Sequence, residues 1–210
     1  MEEKNLTPQE SMAVISRMIE ATKQRVSMPE LHISIMWAAL TIVCAAVVLI
    51  VSLIDYTPWI NIVWFAIPVI GLPANFAMVK RCGIEKGAKT AIDMIRNGIW
   101  KVVTIISIAL SLVCIVFNII GYPKAWLLMF YFAFVVVGFG VAAQGVVLKE
   151  NSYVFGGIFS IIAGFVVVAL TICNIPLLVV WVLPLYIFCF LLMFIVPAFI
   201  IRKKLNAAQR

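Results

Sequence analysis

Charged residues are confined to short stretches of this chain, and the gaps between them set the expected architecture. No Asp, Glu, Lys or Arg occurs in 31–54, 56–79, 102–123, 125–148 or 151–201. Inside these gaps apolar residues run on without the strict alternation of a half-buried strand. A helix needs about 20 apolar residues to cross a bilayer. The first four gaps therefore hold one crossing each and the fifth, about twice as long, holds two. Asn174-Ile175-Pro176 supplies the turn in its middle, because Asn favours helix ends and Pro cannot continue a helix from behind. The pattern predicts an all-α integral membrane protein of six transmembrane helices, at Leu31–Ile54, Trp59–Val79, Val102–Ile120, Ala125–Leu148, Tyr153–Cys173 and Leu177–Ile201. Helices are the expected form because in lipid only they and closed barrels satisfy their own backbone. Pro68, Pro73, Pro184 and Pro197 should kink the second and sixth spans.

The odd-numbered spans share a second pattern. Counted back from Asp55, Gly121 and Asn174, residues at 3, 7, 10, 14 and 17 positions fall on one helix face. In the first span they are Ser52, Val48, Ala45, Thr41 and Ala38. The third has Asn118, Cys114, Ser111, Ser107 and Thr104, and the fifth Thr171, Val167, Gly164, Ser160 and Gly157. A proline and then a tryptophan follow each anchor, so the chain reads as three helical hairpins. Two uses of these stripes stand open. Small residues let helices approach and hydroxyls bond neighbouring carbonyls, or the three faces converge on a cavity for a neutral or amphiphilic ligand. Gly156, Ser160 and Gly164, with Gly138 and Ala142, favour packing. Asn75 and Gln144, at similar depth in the second and fourth spans, are placed to form a hydrogen-bonded pair.

Composition agrees: 65% of the chain is hydrophobic and 12% charged, against roughly 45–50% and about 25% in soluble domains. Charge adds orientation. Of 16 Lys and Arg residues, Lys124 alone falls on the side of the Asp55, Gly121 and Asn174 turns. The positive-inside rule then puts both termini in the cytoplasm. It also accounts for the net charge of +7 without nucleic acid, whose binding needs a clustered soluble basic face. The acidic, polar start MEEKNL predicts no cleavable signal peptide.

Residues 1–30 read as a cytoplasmic amphipathic segment, 31–201 as the six-helix domain and 202–210 as a basic tail. Thr7-Pro8-Gln9-Glu10 is a capping box opening a helix to about Val26. Met12, Ile15, Met18, Ile19 and Val26 share one face, with Lys23 and Arg25 on its shoulders, a pattern suited to lying on the inner leaflet or to docking a cytoplasmic protein. In the loop from Lys80 to Lys101, the helical spacing of Ile84, Ala88, Ile92, Ile95 and Ile99 suggests a second amphipathic turn. The partners these features admit are the bilayer, a cytoplasmic protein and a second copy of the chain.

Catalytic machinery is not expected. His32 is the one histidine and lies at the edge of the first span, so neither a Ser-His-Asp triad nor a two-histidine metalloprotease motif can be built. The five cysteines show no CxxC or Cys/His spacing, and neither metal nor cofactor is expected. No ionisable group lies near the middle of a span, whereas ion-coupled carriers keep one there at a cost of about 2.5–3.5 kcal/mol.

At Leu6-Thr7-Pro8-Gln9-Glu10-Ser11-Met12-Ala13-Val14-Ile15-Ser16-Arg17-Met18-Ile19, followed by six short spans, the chain resembles a group of small bacterial inner-membrane proteins of uncharacterised function. In that group the gene often accompanies one for a small winged-helix regulator, so the resemblance implies a cytoplasmic partner and carries no catalytic motif. The six-span plan also looks like the vitamin-binding subunits of energy-coupling transporters, whose first span has a small-residue face that Ala38 and Ala45 match loosely. Their long outer loops are missing here. The leading expectation is a non-enzymatic scaffold or regulatory protein acting through its cytoplasmic face, with a carrier or ligand-binding subunit for a neutral or amphiphilic molecule as the rival.

Overall fold

The computed structural model describes residues 28–54, 58–82 and 91–208. Every regular element among them is helical. α1 is Met28–Ile54; a 3-10 segment, Pro58–Phe65, leads into α2, Ala66–Cys82; α3 is Ala91–Ile119. A short 3-10 turn, Pro123–Trp126, precedes α4, Leu127–Leu148, and α5 is Asn151–Ile172. The sixth span joins α6, Val179–Phe190, a π-helical turn at Leu191–Ile195 and α7, Val196–Ala208. Among the described residues, six helices are long and apolar enough to cross a membrane, as a multi-pass membrane protein requires. The helix expected over 8–26, with its Met12, Ile15, Met18, Ile19, Lys23 and Arg25, lies outside the described residues.

Local structure follows the prolines. Pro68 has no N–H for the Trp64 carbonyl and its ring presses on that group. The chain just before it is wound as a 3-10 helix through Phe65. Pro197 stands in the same relation to Met193, and the turn ahead of it is widened into a π-helix. Pro73 and Pro184 lie inside α2 and α6.

Three helices end alike. Gly121, Lys149 and Asn174 have positive φ, at 102°, 54° and 56°. In each case the next residue's N–H reaches the carbonyl five back: Tyr122 to Phe117, Glu150 to Gly145 and Ile175 to Leu170, each at 2.9 Å. These are Schellman endings, which satisfy carbonyls that the helix leaves open. Gly121 and Asn174 are thus the turn residues from which the repeated stripes count back.

The interior is unevenly shared. In the sixth span 39% of the most apolar window is buried, against 6% in the second and 11% in the third. α2 and α3 are therefore peripheral, and Val69, Phe76, Ile105, Ile108 and Leu112 are exposed. Exposed apolar surface of this extent suits contact with lipid or with another protein. α2 packs on α1, α1 on α6, and α4 on both α3 and α5. The tightest pair, α4 and α5, straddles two of the expected hairpins. Glycine is the reason: a Cβ on Gly157 would stand 2.5 Å from the Gly138 carbonyl oxygen, and one on Gly145 2.6 Å from the Val154 nitrogen. Tyr186 centres an aromatic core, stacked on Phe130 at 5.0 Å and edge-on to Phe134 and Trp64 at 5.5 and 5.6 Å.

α3 is longer than expected. It begins at Ala91, so Ile92, Ile95 and Ile99 belong to its first turns, continuous with the span. Asp93 lies in its first turn, where a negative charge complements the helix dipole.

Candidate functional site

The three stripes do not meet around one space. On α1, Ala38 and Ala45 are fully buried and Thr41 is buried, its hydroxyl donating to the Trp37 carbonyl at 2.9 Å. Ser52, nearer the far end of α1, has a buried hydroxyl oxygen without a partner. On α5, Gly157, Ser160, Gly164 and Val167 are all buried. The Ser160 hydroxyl donates to the Phe134 carbonyl of α4 at 3.0 Å. Thr171 donates to the Val167 carbonyl and accepts from the Tyr131 hydroxyl at 2.7 Å. A Cβ on Gly164 would meet Phe134 and Val135 at 2.7 Å. The α5 stripe is thus a dry contact with α4.

The α3 stripe faces the beginning of α4 and is more open. Cys114 is fully buried and its thiol donates to the Ala125 carbonyl at 3.2 Å. Ser111 is half-buried, donating to Ser107 at 2.8 Å and lying 3.7 Å from the Met129 sulfur. Thr104 is exposed with its hydroxyl on the Trp100 carbonyl, and Asn118 is exposed at the helix end. Two of the three stripes therefore address α4, while α1 packs mainly on α6 and α2.

The expected Asn75–Gln144 pair is replaced by another. Gln144 is buried, and its amide oxygen accepts from the Trp100 indole nitrogen of α3 at 2.5 Å. Asn75 is half-buried on peripheral α2. Depth alone suggested the pairing, but α4 has α3 as its neighbour and α2 packs on α1.

A polar cluster that the sequence did not reveal occupies the opposite end from Lys124. Arg96 of α3 pairs with Glu30 of α1 and with Asp93 one turn before it, at 2.5 and 3.2 Å. Tyr153, at the start of α5, hydrogen-bonds Ser34 of α1 and lies within electrostatic reach of Glu30, Arg96 and Glu150. Glu150 in turn holds Lys204 of α7 at 2.6 Å. Two ion-pair clusters thus stand at this end, one joining α1 to α3 and one joining Glu150 to α7, with Tyr153 within electrostatic reach of both. The sequence signal was present in Glu30, Asp93 and Arg96 flanking the apolar runs, but it did not specify which helix ends would meet. Around these clusters Lys80, Arg81, Lys101, Lys149, Arg202 and Lys203 are exposed.

No family model, curated protein or solved structure matches this chain.

Proposed function

We propose that this chain is a non-enzymatic six-span protein of the bacterial inner membrane, with both termini cytoplasmic, acting as a scaffold or regulatory protein through its basic end. The observation that carries this reading is the division of polar groups. Within the bundle, hydroxyls such as Thr41, Ser111 and Ser160 are taken up by backbone carbonyls. At the basic end, one ion-pair cluster ties α1 to α3 and a second ties Glu150, just before α5, to α7, and other cations there stay exposed. The lone cation at the other end, Lys124, supports a cytoplasmic assignment for the basic end. The resemblance of residues 6–19 to small bacterial inner-membrane proteins points to a cytoplasmic protein as partner, with Met12, Ile15, Met18 and Ile19 as the docking face.

Affinity capture of the full chain from bacterial membranes tests this, comparing wild type with Met18→Asp/Ile19→Asp. A cytoplasmic protein retained by wild type and lost from the variant, with membrane association unchanged, is the expected result. Identical captured proteins from both would remove the docking role.

The carrier reading is the second. It draws on the α3 stripe, where Thr104 is exposed and Ser107 and Ser111 are only half-buried. In that reading water reaches these hydroxyls during transport, and a ligand protects thiols introduced beside them.

A further inference from the structure

α3 and the start of α4 meet near the Lys124 end of the bundle. Between them lies a groove of about 340 Å³ lined by Val113 and Phe117 of α3, Tyr122 and Ala125 of the connection, and Leu128 of α4. Its lining carries no charged residue. Beside it, buried Cys114 bonds the Ala125 carbonyl and so ties α3 to the connection. The Phe117 and Tyr122 rings lie with centroids 6.3 Å apart.

Lys124 stands in the chain between the lining residues Tyr122 and Ala125, exposed and in no ion pair among the described residues. By sequence it is the one Lys or Arg on this side of the bundle, and Asp55, the one acidic residue there, lies outside the described residues.

We propose that this groove is a phospholipid site, taking one acyl chain along Val113, Phe117 and Leu128 with the lipid phosphate held by Lys124. The proposal rests on the chain spanning a membrane, and on nothing assigned to the basic end. Chemistry selects the ligand class. An apolar wall offers a polar molecule no hydrogen bonds to replace those with water, so the inserted part is hydrocarbon. An exposed cation next in the chain to the lining residue Ala125 then selects an amphiphile with an anionic head. Length agrees. Val113 lies eight residues before Gly121, about 12 Å of helix, and one leaflet of hydrocarbon is about 15 Å deep. The groove thus matches one chain in one leaflet. Tyr122 at its mouth, and Trp126 just beyond, are residues that favour the headgroup level.

Native mass spectrometry of the full chain in mild detergent, titrated with phosphatidylglycerol and separately with diacylglycerol, tests the site. Wild type should retain one phosphatidylglycerol and hold diacylglycerol at least threefold more weakly. Ala125→Trp, which fills the groove, should lower retention at least fivefold, and Lys124→Gln at least threefold. Unfolding midpoints of the variants serve as the folding control, and Val113→Phe replaces Ala125→Trp should that variant not fold. Equal retention by wild type and the groove variant overturns the site. Equal retention of the two lipids, or no effect of Lys124→Gln, overturns the phosphate contact. A dimer that Ala125→Trp dissociates, with no lipid bound, overturns the proposal in favour of a second copy in the groove. None of these substitutions touches the basic end, so failure here leaves the proposed function standing, and failure of the partner capture leaves this site standing.

Discussion

Arg96 and Glu30, 66 positions apart in sequence, form an ion pair at 2.5 Å that fastens the first turns of α1 to those of α3. Their side chains retain only 12% and 19% of their exposure, and Asp93 adds a second carboxylate to the same guanidinium. Exposed ion pairs contribute about 0–1 kcal/mol. A partly buried, hydrogen-bonded one contributes more, because its removal leaves a charged partner short of solvent. Arg96→Gln should destabilise the protein by about 1.5–3 kcal/mol. Lys204→Gln, at the more exposed pair with Glu150, should cost under about 1 kcal/mol. Denaturant unfolding in detergent micelles measures both, and an equal cost for the two would contradict the ranking.

Two glycines, one in the α4–α5 contact and one on α3, yield a prediction of opposite signs. A Cβ on Gly157 would meet backbone atoms of Gly138 and Ala142 at 2.5 and 2.6 Å, so neither helix can give way at a side chain. Gly157→Ala should destabilise by about 1–3 kcal/mol. A Cβ on Gly98, in the exposed first half of α3, meets nothing within 4 Å. Gly98→Ala should stabilise by about 0.5–1 kcal/mol, since alanine loses less backbone entropy in a helix. The same unfolding measurement reads both signs.

Much of this fold was legible in the chain, and the misreadings share one cause. Spans, turns and proline sites are one-dimensional features: uncharged runs, Asn174 before Pro176, and Pro197 under the π-helical turn all declare themselves locally. The register of the stripes is local too, which is why Gly121 and Asn174 emerge as the turn residues that end their helices. Which helix each stripe addresses is not local. Gln144 was matched to Asn75 by depth, yet it bonds Trp100 because α4 neighbours α3. Likewise Glu30 and Arg96 were visible only as charges bordering apolar runs, and the fold alone makes them partners. The stripes left packing and a shared cavity open, with packing favoured, and α4 has glycines on two sides, Gly138 against α5 and Gly140 near Val103 of α3. It therefore receives two stripes on separate faces.

Lys149 offers a test of backbone strain. It links α4 to α5 with φ of 54°, a conformation that costs a residue with a Cβ roughly 1–2 kcal/mol relative to glycine. The Glu150 N–H reaches the Gly145 carbonyl through this turn, so the conformation is fixed by the helix ending. Lys149→Gly should therefore stabilise the protein by about 0.5–1 kcal/mol once the greater freedom of the unfolded glycine is deducted. Lys149→Val should destabilise it, because a β-branched residue tolerates this region worst. If both substitutions shift the unfolding midpoint in the same direction, conformation is not what governs this turn.

Thiol chemistry tests both the dryness of the α3 stripe and the orientation of the bundle. Cys114 is fully buried with its thiol on the Ala125 carbonyl, whereas Cys173 is exposed at the end of α5 on the Lys124 side. Two variants, each keeping one of these cysteines and carrying Ala at the other four positions, separate the questions. A small, charged, membrane-impermeant reagent added to intact bacteria should label Cys173 rapidly, since the Lys124 end is proposed to face away from the cytoplasm. The same reagent on oriented vesicles should leave Cys114 unmodified until detergent and denaturant open the bundle. Labelling of Cys173 only after the cells are broken would invert the orientation and move the proposed partner surface to the other side. Rapid labelling of native Cys114 would mean that water enters between α3 and α4, a step the scaffold reading does not contain and the carrier reading requires.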